Sequence, residues 1–113
     1  MIKDENMELA IKEARKAAQR DEMPVGAIIK DGSGKVVAKE SNKIIELCDP
    51  TAHAEINAIR VACTIRKDLY LSDCTMYVTL EPCSMCLGAI INSRLKKGLS
   101  LIHISEPTRR PII

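Results

Sequence analysis

The sequence predicts an α/β fold in which helices pack on both faces of one small sheet. Segments with the three- to four-residue spacing of an amphipathic helix alternate with short apolar segments typical of strands, in the order α-β-β-α-β-α. A length of 113 residues, with 46% apolar and 28% charged residues, is typical of one globular domain. We therefore expect a three-layer α-β-α arrangement around a small mixed sheet.

The first half of the chain supplies one helix and a two-stranded hairpin. Small apolar residues recur at helical spacing over about residues 7–20, and Pro24 ends that helix. Residues 25–29 predict a strand, and the Asp-Gly-Ser-Gly segment at residues 31–34 predicts a hairpin turn. Residues 36–38 are then expected to form the antiparallel return strand.

The second half supplies two further helices and a strand. A polar loop over residues 40–50 leads to a helix that starts near Thr51, and residues 76–80 predict the third strand. Pro82 then opens the third helix, because a missing N–H costs little in a first turn. Residues 99–104 have the pattern of a fourth strand. From the third helix, three residues are expected to face the core: Leu87, Ile90 and Ile91.

The composition excludes several classes of function. Phe and Trp are absent and only two Tyr are present, so a platform of stacked aromatic rings is not expected. The formal net charge of +2 is too small to indicate nucleic-acid binding without a local patch. No apolar segment approaches the roughly 18 residues of a membrane span, and residues 1–6 lack the apolar part of a signal peptide. We expect a cytoplasmic protein that does not bind membranes.

The cysteines indicate metal binding and not disulfide bonding. There are five of them, an odd number, and in a reducing compartment thiols are more often ligands, catalytic groups or buried apolar residues than disulfides. Only Cys83 and Cys86 have the spacing of metal ligands. The other three are expected to be small buried residues: Cys48, Cys63 and Cys74.

Three residues stand at the spacing of a zinc site. Cys83 and Cys86 lie three apart at the predicted start of the third helix, where the helix dipole favours thiolates. His53 lies near the predicted start of the second helix and completes the site if the two helix starts lie side by side. One nitrogen and two sulfurs suit zinc, and three protein ligands leave one position open for water, as in catalytic sites.

Glu55 gives the open position a use, because a carboxylate beside it can accept a proton from water. His-x-Glu together with Pro-Cys-x-x-Cys is the signature of zinc nucleobase deaminases. Taken singly, a His–Glu pair is usually a surface pair, and Cys-x-x-Cys is usually a redox motif or half of a structural zinc site. A structural site completed by Cys48, Cys63 or Cys74 is the alternative interpretation.

The two zinc motifs belong to a longer set of segments that carries a family resemblance. These segments are residues 23–27, Asn42, residues 49–55, residues 77–86, residues 88–90 and residues 93–94. Together they resemble the bacterial tRNA-specific adenosine deaminases, which have the cytidine-deaminase-like fold. The resemblance covers roughly residues 7–97. Guanine deaminases and other nucleobase deaminases share most of it, whereas the Val-Thr-Leu-Glu-Pro-Cys segment and the Ser93-Arg94 pair favour the tRNA enzymes.

The resemblance implies hydrolytic deamination of adenosine to inosine at the wobble position of a tRNA anticodon loop. It also implies a homodimer with one Zn²⁺ per chain. By position, His53, Cys83 and Cys86 would ligate the zinc, and Glu55 would be the proton shuttle. Three further positions would contact the base: Asn42, the backbone N–H of Ala54, and Val25 as a wall of the pocket.

Two other functions stay open. The first is deamination of a free base, with guanine the leading candidate. The second is a zinc-stabilised module without catalysis, against which Glu55 argues because a structural site has no use for that carboxylate. A basic helix at the natural C-terminus would indicate tRNA, whereas a short tail that closes the pocket would indicate a free base.

The end of the chain departs from the family, which continues after Ser-Arg with a strand, a helix, another strand and a C-terminal helix. Residues 99–109 resemble instead the translation of a sequencing adapter. We therefore expect residues 1–98 to form a zinc-dependent deaminase domain that is incomplete at its C-terminal end. Residues 99–113 are expected to be a non-native tail.

Overall fold

Helices and strands alternate much as predicted in the computed structural model, which describes residues 5–95 and 97–100, the last four as backbone only. Within these residues there are four helices and four strands. The helices are α1 Glu5–Gln19, α2 Ile44–Leu47, α3 Ala54–Arg66 and α4 Ser84–Asn92. The strands are β1 Gly26–Lys30, β2 Val36–Ser41, β3 Thr75–Val78 and β4 Lys97–Ser100.

The four strands form one mixed sheet in the order β2-β1-β3-β4. β1 lies antiparallel to β2, as predicted, and also antiparallel to β3, with Ala27 opposite Val78. β4 lies parallel to β3. The Asp31 carboxylate orders the turn between β1 and β2 by accepting hydrogen bonds from the Ser33 and Lys35 backbone N–H groups, at 2.9 and 3.0 Å.

The sheet is covered by helices on both faces, which confirms the three-layer prediction. Gly26 faces α1 so closely that a Cβ atom there would lie 2.7 Å from the backbone N of Ala14. Because side chains alternate along a strand, the next residue, Ala27, points to the opposite face. There it joins the main core, to which α3 contributes Ala58 and α4 contributes Ile90.

Several predicted boundaries move by a few residues. The two helices of the zinc motifs begin at Ala54 and Ser84, so Pro82 precedes the last helix and does not open it. Residues 40–50 are not all loop, since β2 runs to Ser41 and the short helix α2 follows. These segments form hydrogen bonds with distant parts of the chain, which local sequence patterns do not reveal.

Two burial predictions are wrong. Ile90 lies in the core, but Ile91 is 66% exposed, because consecutive residues of a helix point in different directions and Ile91 is on the side of α4 away from the core. Of the three cysteines expected to be buried, Cys74 is buried, Cys63 is half-buried and Cys48 is exposed. Cys48 follows α2 in a left-handed conformation on the surface.

The predicted fourth strand falls partly on β4. Most of residues 99–104, and most of the predicted tail over residues 99–113, lie outside the described residues. Within the described part of the chain, no helix combines the length and the apolar character needed to cross a membrane.

Candidate metal centre and substrate cavity

The starts of α3 and α4 lie side by side and present the predicted ligands. His53 is the residue before α3 and Cys83 the residue before α4, and both have extended backbone, with φ of −69° and −76°. Neither side chain caps its own helix. The imidazole and the thiol therefore keep their ligand atoms available, and Cys86 adds a second sulfur from the first turn of α4.

The distances among the three ligand atoms fit one tetrahedral ion. His53 Nδ1 lies 3.4 Å from Cys86 Sγ and 3.7 Å from Cys83 Sγ, and all three atoms lie within 4.8 Å of one another. Zinc bonds of about 2.0–2.1 Å to nitrogen and about 2.3 Å to sulfur, at tetrahedral angles, put such atoms about 3.6 Å apart. The donor set and its spacing both suit zinc.

No cysteine from elsewhere in the described residues joins this group, so the structural interpretation lacks its fourth ligand. Cys74 is buried, and its Sγ lies 2.6 Å from the Arg66 guanidinium. Burial raises the pKa of the Cys74 thiol to about 11, against the weaker opposing effect of Arg66. The group keeps an open side instead, since Cys86 is buried but Cys83 is exposed.

A cavity of about 170 Å³ opens beside the ligand group. It is smaller than the roughly 300 to 1,000 Å³ of sites for drug-sized ligands, so it suits a single heterocycle. Five predicted site residues line it together: Val25, Asn42, His53, Glu55 and Cys83. The sequence prediction did not include the other lining residues: Met23, Ile44, Leu80 and Glu81.

Ala54 takes a different position from these five. Its side chain is fully buried in the main core and does not line the cavity. It is, however, the first residue of α3, where a backbone N–H has no partner within the helix. The prediction for Ala54 concerned that N–H group only.

Glu55 is 4% exposed and still reaches the cavity wall. Burial raises the pKa of its carboxyl above the ordinary value, against the opposing effects of its own backbone N–H, of His53 and of a hydrogen bond with Cys86. Burial, followed by the nearby Glu55 carboxylate, also raises the pKa of the Cys86 thiol. A bound cation would lower the pKa of the Glu55 carboxyl and of the Cys86 thiol, because it stabilises carboxylate and thiolate alike.

Two buried polar residues behind the cavity were missed from the sequence. Asn57 on α3 donates from Nδ2 to the carbonyls of Ser41 and Ala52, at 2.9 and 3.2 Å, and so ties α3 to the preceding segments. Glu22 is 5% exposed and accepts a hydrogen bond from Asn42 Nδ2 at 3.4 Å. The one available signal was the position of Glu22, directly before the Met-Pro-Val-Gly-Ala segment.

The fold and the ligand group together define an α/β domain that would hold zinc through three protein ligands. The family model of the cytidine and deoxycytidylate deaminase zinc-binding region matches residues 1–101. The chain belongs to this family. Membership and the His–Cys–Cys group support one Zn²⁺ per chain.

Curated relatives and solved structures agree with this assignment. The chain is 46% identical over 97 residues to the tRNA-specific adenosine deaminase of Aquifex aeolicus. The matched region is 86% of this chain and 64% of that protein. It is 48% identical over 91 residues to the tRNA-specific adenosine deaminase of Agrobacterium fabrum, and this match covers 80% of the chain and 59% of that protein. The chain thus spans less than two thirds of the length of these relatives.

Among solved structures, a tRNA deaminase that performs A-to-I editing at the wobble position is 40% identical, with a TM-score of 0.80. That match covers 95% of the chain and 86% of the other chain. The guanine deaminase of Bacillus subtilis is 34% identical, with a TM-score of 0.82, covering 96% and 71%. The cytidine-deaminase-like fold expected from the sequence is confirmed.

Proposed function

We propose that this chain is the catalytic domain of a zinc-dependent hydrolytic deaminase that converts adenosine to inosine at the wobble position of tRNA. One observation carries the proposal: a His–Cys–Cys group and a buried carboxylate, Glu55, meet at one small cavity. The similarity to two tRNA-specific adenosine deaminases, at 46% and 48% identity, supports this substrate.

In this proposal each site residue has one role. His53, Cys83 and Cys86 hold the zinc. When bound, zinc acts as a Lewis acid that makes water a usable nucleophile near neutral pH. Glu55 is the proton shuttle, and its burial keeps bulk water away from the transferred proton.

The remaining residues orient the base. Asn42 offers a side-chain amide on the cavity wall, and the Ala54 backbone N–H offers a donor at the start of α3. Val25 supplies an apolar wall, and its side chain is 7% exposed. A flipped base between these groups presents its C6 amino group to the reaction centre.

The proton transfers balance for replacement of an amino group by oxygen from water. Glu55 accepts one proton as water adds to C6 and passes it to the adjacent ring nitrogen. Glu55 then accepts the second proton of that water and delivers it to the leaving nitrogen, which departs as ammonia. The products are inosine and ammonia, and Glu55 returns to its starting state.

Deamination of a free base, guanine first, is the second candidate. The guanine deaminase of Bacillus subtilis superposes on the chain as well as the tRNA enzyme does, with TM-scores of 0.82 and 0.80. A cavity of about 170 Å³ accommodates one base in either case. The two candidates differ in what surrounds the base, and not in the chemistry at the ligand group.

We further propose that the protein works in the cytoplasm as a homodimer. Ile91 is 66% exposed and Met85 is 38% exposed on α4, so this helix carries apolar surface that a second copy would cover. The notion that loops of one copy border the cavity of the other follows from the family resemblance.

An inosine assay on the zinc-loaded chain tests the proposed function. The substrates are an anticodon stem-loop with adenosine at the wobble position, the same stem-loop with guanosine there, free guanine and free cytosine. We expect inosine from the first stem-loop only. Xanthine from free guanine alone would favour the second candidate, and no product from any substrate at stoichiometric zinc would contradict both.

A further inference from the structure

Glu22 is a buried carboxylate that the proposed chemistry does not use. It lies between α1 and β1, is 5% exposed, and does not line the cavity. Burying a carboxylate is costly unless hydrogen-bond donors surround it, so its partners indicate its purpose.

Three N–H donors converge on this carboxylate. Glu22 Oε1 accepts from Asn42 Nδ2 at 3.4 Å and from the Ile45 backbone N–H at 3.2 Å. Glu22 Oε2 accepts from the Glu46 backbone N–H at 2.7 Å. Lys43, the residue before α2, makes no side-chain cap, so Glu22 satisfies the first turn of α2 from a distant part of the chain.

The same donors explain why Glu22 stays ionised. Burial acts to raise the pKa of its carboxyl, but the hydrogen bonds from the Glu46 and Ile45 backbones and from Asn42, with the charge of Arg20, outweigh it and lower the pKa. An ionised carboxylate only accepts hydrogen bonds. The amide of Asn42 must therefore turn its NH₂ group toward Glu22, which leaves Oδ1 for another partner.

Glu22 binds the Asn42 side chain directly, and it binds the backbone N–H of Ile45, the neighbour of Ile44, at one wall of the cavity. Asn42 and Ile44 both line it, and Arg20 steadies the same segment by donating to the Asn42 carbonyl at 3.2 Å and to Ser41 Oγ at 2.8 Å. Resting on the function proposed above, we propose that Glu22 is a positioning residue for the substrate: it fixes the orientation of the Asn42 amide and holds the adjoining wall.

The Glu22→Gln variant tests the positioning directly. Glutamine keeps the shape but offers one oxygen and one NH₂ group to three donors, so at least one of the three loses its partner. The matched control is Glu13→Gln on α1, since Glu13 is also buried, at 8% exposed, and forms an ion pair with the surface residue Lys16 at 3.2 Å.

The first readout is NMR on the zinc-loaded chain and needs no activity. We expect Glu22→Gln to shift the side-chain NH₂ signals of Asn42, or to speed hydrogen exchange at the Glu46 amide by about tenfold or more. Glu13→Gln should change neither. If Glu22→Gln also changes neither while remaining folded, the proposal is overturned.

The second readout is kinetic. We expect Glu22→Gln to raise KM about tenfold with a smaller change in kcat and unchanged zinc content. Added to Asn42→Ala, Glu22→Gln should cost less than it costs the unmodified chain, because the part of its effect that acts through the Asn42 amide is already lost. Fully additive losses would overturn the proposal. If the unmodified chain deaminates no substrate, the proposed function fails, and the NMR comparison still decides the role of Glu22.

Discussion

Glu55 is the residue whose environment is hardest to explain without catalysis. Its carboxylate is 4% exposed, contacts Cys86 through a hydrogen bond and lines the cavity. A structural zinc site has no use for such a carboxylate, and burying it lowers the stability of the fold. Proton transfer at the substrate supplies a use that matches its position.

We predict that Glu55→Gln lowers the deamination rate by about 10²- to 10⁴-fold, the usual contribution of a positioned acid–base group. Glutamine keeps the shape, so zinc content by elemental analysis should stay near one per chain. The control is Glu40→Gln, which removes only an ion pair with Lys43 of 3.3 Å. A Glu55→Gln variant as active as the unmodified chain would remove the proton-shuttle role.

The two kinds of cysteine in this chain should respond differently to replacement. We predict that Cys86→Ala weakens zinc binding by more than the roughly 10- to 100-fold that loss of an outer-shell partner causes. The variant should also lose the rise in Tm that zinc gives the unmodified chain. Cys48→Ala is the control, because Cys48 is exposed and outside the ligand group. Competition with a chelator measures the zinc affinity of both variants. Equal affinities would contradict the assignment of Cys86 as a ligand.

At the scale of the elements, α1 approaches the backbone of β1 closely at Gly26. A Cβ atom there would lie against the Ala10 carbonyl oxygen and 2.7 Å from the Ala14 backbone N. These are backbone atoms of a helix, which cannot turn aside as a flexible side chain can. The position therefore holds the helix layer at its distance from the sheet.

We predict that Gly26→Ala lowers the free energy of unfolding by about 3 kcal/mol, the upper end of the usual cost of overpacking. Gly88→Ala is the matched control. A Cβ atom at Gly88 meets nothing within 4 Å, and alanine is favoured over glycine inside a helix by about 1 kcal/mol. Urea unfolding measures both variants. A Gly26→Ala variant as stable as the unmodified chain would contradict the packing described.

The hairpin between β1 and β2 should lose stability in acid through Asp31. The Ser33 hydroxyl and the Lys35 backbone N–H hold the pKa of the Asp31 carboxyl below its ordinary value of 3.8. A lowered pKa means that the folded state favours the ionised form. The stabilisation is therefore complete above the ordinary value and is lost as the pH falls through the lower, folded value.

We predict that Asp31→Ala is less stable than the unmodified chain near neutral pH, and that the difference shrinks below about pH 4. Urea unfolding at a series of pH values measures it. Lys35→Ala is the control, because it removes an exposed side chain and keeps the backbone N–H that Asp31 binds. A difference that persists unchanged into acid would show that the carboxylate charge is not the cause.

At the scale of the whole molecule, the identity of residues 99–113 determines how much of the printed chain belongs to the natural domain. We propose that residues 99–113 are not part of the natural domain, because residues 99–109 resemble the translation of a sequencing adapter. We predict that the gene, amplified from source DNA, departs from the printed sequence near residue 99. A natural locus that encodes residues 99–109 unchanged would contradict this.

The sequence alone was enough to predict which His and Cys side chains come together, that a carboxylate lies in the same cavity, and most of the layer order. Spacing within a few residues determines each motif separately, whereas the packing of α3 beside α4 brings His53 Nδ1 to 3.4 Å from Cys86 Sγ, 33 residues away. Cys83 and Cys86 share a helix start whatever else the chain does, and His53 and Glu55 keep their separation. The alternation of β1 side chains between the two faces of the sheet follows in the same way from the two-residue period of a strand.

Only the tertiary structure decided the wall of the cavity and the exposure of particular side chains. Glu22 and Asn42 are 20 residues apart, and their hydrogen bond exists because α1, β1 and β2 pack together. Ile91 is exposed although its neighbour Ile90 is buried, since the angle at which α4 meets the sheet selects one of them. Such contacts depend on the angles at which elements pack, and local sequence patterns do not predict those angles.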